Sequence, residues 1–146
     1  MIMDYEMHLT DEKSEILGRA FVLSAKEGYE SKEFVKAVMS SPKIEFFINV
    51  DESADWCDEW FLFANFEQCY KFKKGKTIEE YELWFMGYLY KYWMRTRHMK
   101  AKDVYKILPF EEFHNRFGFY HTQGWDYIIE DMTQEYKEKK RRYKNN

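Results

Sequence analysis

The segment YELWFMGYLYKYWMR, residues 81–95, decides what kind of fold this chain can adopt. Seven of its first thirteen residues are aromatic: Tyr81, Trp84, Phe85, Tyr88, Tyr90, Tyr92 and Trp93. At about 100° per residue, Tyr81, Trp84, Phe85, Tyr88, Leu89 and Tyr92 fall on one face, the spacing of a core-facing helix. Met86 and Trp93 widen that face, Leu83, Tyr90 and Met94 lie opposite, and only Glu82 and Lys91 interrupt. A helix that is apolar nearly all round belongs at the centre of a bundle. Gly87 costs about 1 kcal/mol of helix propensity, which is easier to understand if another backbone passes close by. Tyrosine hydroxyls buried in such a helix need partners. The face carrying Leu83, Tyr90 and Met94 is the part left open to a surface role.

The flanking sequence extends the helical reading. Thr10 is placed to open a first helix, with Asp11 and Glu12 in its first turn and Gly28 as its stop. Ser31 is the expected cap of a second helix, which Pro42 ends. KIEFFINV (43–50) suits a short strand or a helical extension equally. A third helix is expected over about 53–71. The loop KKGK (73–76) follows, and a capping box of Thr77 and Glu80 then starts the aromatic helix. A short helix in MKAKDVYKIL comes next, then one restarting at Pro109 and stopping at Gly118, and a last one over about 123–142. We therefore expect an all-α fold: one domain, residues 1–146, of about six or seven helices around a central aromatic helix at 77–95, with a basic tail (about 137–146) that frays.

Composition agrees. A chain of 146 residues can bury a real core, and six Gly and two Pro leave little material for a turn-rich β fold. No apolar run of about eighteen residues is present to span a membrane. The start, MIMDYEMH, lacks the basic-then-apolar layout of a signal peptide, so a cytoplasmic protein is expected. Cys57 and Cys69 would sit roughly 18 Å apart on one helix, too far to bridge, and read as reduced thiols. The net charge of −3 divides unevenly: residues 1–70 hold 15 acids and 6 bases, residues 71–146 hold 11 and 17.

Motifs for catalysis are sparse. There is no Gly-rich phosphate loop, no nucleophile elbow and no Cys/His cluster at zinc spacing. Glu111 and His114 form a single Glu-x-x-His, where a bundle di-metal site needs two such motifs and two further carboxylates, so neither a metal nor another cofactor is expected. Arg116 and His121, in RFGFYH, resemble the Arg-x4-His motif of HEPN-type ribonucleases. That resemblance implies the histidine as acid–base and the arginine as phosphate ligand. Phe117 replaces the polar residue usual after the arginine, and Gly118 intervenes. A basic run (Arg95, Arg97, His98, Lys100, Lys102, Lys106) follows the aromatic helix and could meet phosphates, although no recognised nucleic-acid motif is present and the chain is acidic.

Taken together, GRAFVLSAKEGY near the start, the Gly-Tyr-x-Tyr-x-Tyr-Trp run and the late Tyr-His-Thr resemble a family of small helical bacterial proteins, mostly from Firmicutes. The residues carrying this are Gly18, Arg19, Ala20, Gly28, Tyr29, Trp84, Gly87, Tyr88, Tyr90, Tyr92, Trp93, Tyr105, Lys106, His121 and Thr122. The family's members lie beside ADP-ribosyltransferase-like toxin candidates, so the resemblance implies an antitoxin or accessory role. We accordingly expect a non-enzymatic, protein-binding module. Its partner would be a toxin or defence enzyme, contacted by Tyr90, Met94, Arg95, Arg97, His98, Lys100 and Lys102. The alternatives are a ribonuclease using Arg116 and His121, or a nucleic-acid-binding helical protein.

Overall fold

Asp11, Ser41 and Asp58 each accept from a backbone amide in the first turn of the helix that follows. A computed structural model describes residues 11–50 and 57–145. In it, α1 (Glu12–Lys26) opens on Asp11, whose carboxylate accepts from Ser14 N at 3.1 Å. Asp11 is thus the cap; the expected cap, Thr10, lies outside the described residues. Gly28, at φ +77°, turns the chain out of α1 in the left-handed conformation that glycine adopts without strain. α2 (Ser31–Ser40) corrects the reading of Ser31 as its cap. Ser31 is the first helical residue and is buried, and its Oγ accepts from Ile78 N at 3.0 Å.

The doubt over 43–50 resolves as helix. α3 (Pro42–Val50) has proline in its first position, Ser41 Oγ accepts from Ile44 N at 3.2 Å, and Ile44 and Ile48 are buried one turn apart. α4 (Glu59–Cys69) is capped by Asp58, which accepts from Phe61 N at 2.9 Å. It starts later than the expected position 53, and of the expected span residues 53–56 lie outside the described residues. Cys57 is buried ahead of α4 and Cys69 is at its end, both as free thiols.

The loop after α4 overrides the expected capping box. Residues 73–76 run alongside 28–31, with Glu30 N donating to Lys73 O, Ser31 N to Lys76 O and Gly75 N to Gly28 O. These bonds, with Ser31 holding Ile78, keep Thr77 outside the helix, so α5 (Glu80–Arg97) begins only at Glu80. His98 ends α5 at φ 51°. α6 (Ala101–Ile107), α7 (Phe110–Tyr120) and α8 (Trp125–Asn145) complete the fold. α7 passes through Gly118 instead of stopping there, since that glycine has no left-handed φ to end the helix. The basic stretch 137–145 continues as helix. The described residues contain eight helices and no strand, apart from a single bridge between Tyr29 and Lys74.

α5 is the centre. Leu83, Phe85, Met86, Tyr88, Leu89, Tyr90, Trp93 and Met94 are all buried, and α1 packs against α5 more extensively than any other pair of helices. At their crossing the backbones nearly touch. A Cβ on Gly87 would lie 2.8 Å from both Gly18 Cα and Leu17 O, and one on Gly18 would lie 2.7 Å from Trp84 O. Trp125 of α8 covers another side, with ring centroids 4.4 Å from Phe85 and 4.5 Å from Tyr88. Full burial of each such ring contributes roughly 2–3 kcal/mol. No described helix is long and apolar enough to cross a membrane.

The crossing yields a direct test. Gly87→Ala places a methyl against fixed backbone that cannot rotate aside, so it should lower stability by about 2–3 kcal/mol despite alanine's better helix propensity. Urea denaturation reads this as a lower midpoint; an unchanged or higher midpoint would contradict the close approach.

Candidate partner-binding surface

The residues expected to form a contact patch after the aromatic helix are divided between core, staples and surface. Tyr90 and Met94 require correction: Tyr90 has no exposed surface and Met94 is buried. α5 is covered on both sides, and the Tyr90 hydroxyl donates to Leu108 O at 2.7 Å. Burial pushes that phenol well above its ordinary pKa. Arg95 reaches back to the Asp11 carboxylate at the start of α1. Arg97 binds Asp126 at 3.1 Å, and the Tyr92 hydroxyl donates to the same oxygen at 3.0 Å, which ties α5 to the first turn of α8. His98, Lys100 and Lys102 are exposed. The two lysines line a recess of about 70 Å³ with Glu45, too small for more than a few waters.

Arg116 and His121 are not brought together. Arg116 donates from both terminal nitrogens to Glu135, at 2.8 and 2.6 Å, and from Nε to Glu112 at 2.9 Å. A forked pair of this kind fastens α7 to α8. One turn on, the Tyr120 hydroxyl donates to Asp131 at 2.6 Å. The Glu135 hydrogen bonds hold the guanidinium protonated above its ordinary range, and Arg116 holds the Glu135 carboxyl below its own. His121 is exposed, about 140° further round the helix; its Nδ1–H donates to Phe117 O at 2.9 Å. The arginine's donors are spent on carboxylates, and its histidine faces elsewhere.

His121 instead joins a cluster of rings that sequence reasoning missed. Tyr81, expected in the core stripe, is 54% exposed. It stacks on Trp84 at 6.2 Å with 12° between planes and meets Phe117 edge-on at 5.8 Å. Phe117 in turn lies 5.3 Å from the His121 ring. Trp84 and Phe117 are half-buried, and buried Phe85 lies 5.4 Å behind Phe117. The signal in the sequence was position: Tyr81 lies in the first turn of α5, among Glu79, Glu80 and Glu82, where the helix leaves the bundle.

A second pair also went unread. Glu82, a supposed interruption of the aromatic face, is buried and lies 2.6 Å from His114 Nδ1. His114 lines a groove of about 250 Å³ with Ser31, Lys32, Lys76, Ile78 and Phe110. Glu111 of the Glu-x-x-His is taken up by Lys32. Among the described residues no three His, Cys, Asp or Glu side chains gather to hold a metal. Finally, the far part of α8 lies clear of the bundle: residues 137–144 are all exposed, Tyr143 by 88%.

The Arg116 clamp gives a pH signature. A carboxyl whose folded pKa is lowered adds stability above its unfolded value and loses it as pH falls through the folded one. Arg116→Ala should therefore cost about 1 kcal/mol near neutral pH. The gap to the unmodified chain should narrow below about pH 4, where Glu135 takes up a proton. Thermal unfolding followed across pH checks this, and a gap that stays constant on acidification would contradict it. Compared with protein-family models, curated proteins and solved structures, the chain matches none.

Proposed function

We propose that this chain is a non-enzymatic helical module that binds another protein, a toxin or defence enzyme, and restrains it in the manner of an antitoxin. The observation that carries this is the Tyr81–Trp84–Phe117–His121 ring cluster, which is open to solvent on one side and seated on buried aromatic side chains on the other. Binding energy at protein interfaces concentrates in aromatic anchors held in one conformation beforehand, because little side-chain freedom is left to lose on association. Exposed Glu79 and Glu80 provide a polar rim beside Tyr81. The family resemblance supports the same role. Against catalysis stands the use of Arg116 as a structural clamp. His98, Lys100 and Lys102 begin 17 residues along from Tyr81, about 25 Å by the helical rise, and so form a separate, secondary contact.

Co-expression with the neighbouring genes of its native locus should yield the chain together with one neighbour at fixed stoichiometry. The double variant Tyr81→Ala/His121→Ala should weaken that complex at least tenfold, about 1.4 kcal/mol or more, while its unfolding midpoint stays near that of the unmodified chain. A chain that purifies alone beside every neighbour would overturn the proposal. So would a complex indifferent to the two substitutions.

A further inference from the structure

We propose that the exposed end of α8, residues 137–144, binds the phosphates of double-stranded DNA without sequence preference. This goes beyond the protein-binding role and rests on different residues. The stretch KEKKRRYK carries six cations and one acid. At about 100° per residue, Lys137, Lys140, Arg141 and Lys144 gather on one side, and Lys139 and Arg142 stand opposite. Lys139 is shared with Glu135 at 3.4 Å; of the remaining five, four form one face and Arg142 lies on the other.

That distribution discriminates among anionic partners. A helix docking in a protein groove presents apolar anchors at i, i+3, i+4 and i+7, and none occurs here beyond Tyr136 and Tyr143, with Lys140 held 5.0 Å over the Tyr136 ring. A helix lying on a lipid surface segregates its cations to one face and buries the other, which this one does not do. Cations on two opposite sides instead match a groove with phosphates on both walls. The B-form major groove is about 12 Å wide and admits a helix, whereas the A-form one is too narrow. A helix with its side chains is about 10–12 Å across, which fits that width. The rest of the chain holds 25 acids and 17 bases, so it repels DNA and confines attraction to this projection.

Fluorescence anisotropy of a labelled mixed-sequence DNA duplex titrated with the full chain tests this. Binding should be measurable at low salt, with log affinity falling linearly against log salt at a slope of about −4.5, as five phosphate contacts require. Replacing Lys140, Arg141, Arg142 and Lys144 by Gln should lower affinity at least tenfold and flatten the slope. Because these side chains touch no other helix, the thermal midpoint and the partner complex should be unaffected. No binding at low salt, undiminished binding by the variant, equal affinity for poly-glutamate, or equal affinity for an RNA duplex would each overturn the proposal.

Discussion

The constraint on which the structure depends is the contact of two backbones, Gly18 of α1 against Gly87 of α5, with no side chain between them. Helices usually keep their axes about 8–10 Å apart because side chains intervene. Paired glycines remove that spacer and seat α5 deep against α1. Once it is seated there, the rings around its circumference need cover on every other side as well. α6, α7 and the start of α8 provide it: Tyr90 meets Tyr105 and Phe113, while Phe85 and Tyr88 meet Trp125. The residue that most disfavours a helix at this point is the one that makes a bundle around it possible.

This explains which parts of the fold were legible in sequence. The helical class, the central place of 81–95 and the special role of Gly87 all follow from local composition and period. What period cannot supply is the number of neighbours a helix acquires. Tyr90 and Met94 occupy the face opposite the main stripe and were assigned to the surface, but α5 has neighbours there too. Tyr81 fails in the other direction, since it shares the stripe's period but sits in the first turn, where cover runs out. Thr77 and Glu80 have the spacing of a capping box, yet the box lost to pairing between 73–76 and 28–31, which is a contact between segments remote in sequence.

The candidate site was less legible for a related reason. Runs of cations invite a binding interpretation, but most of the arginines named here act as fasteners. Arg95 reaches Asp11, Arg97 reaches Asp126 and Arg116 reaches Glu135, joining α5 to α1, α5 to α8 and α7 to α8. Exposed pairs of this type add little each, about 0–1 kcal/mol, and the forked Arg116–Glu135 pair fixes how α7 and α8 meet. The acceptors lie 84, 29 and 19 residues away in sequence, so no local motif announces them. The short spacing from Arg116 to His121 concealed a longer one that commits the arginine first.

Lysines divide from arginines here on physical grounds. Guanidinium groups match carboxylates in a plane and are lightly hydrated, so they are drawn into half-buried clamps; ammonium groups hold their water and stay outside. Lys91 departs from this, buried with its Nζ donating to Ile48 O at 2.9 Å. Most of the basic charge of the far end of α8 is therefore of a kind, and in a place, that the fold does not consume. The same separation applies to the rings. Those with cover on all sides bind the bundle together, while Tyr81 and His121 stand at its edge on a rigid base. Where a chain so rich in aromatic and basic residues leaves both kinds outside its own packing, those residues remain available for contact with something other than itself.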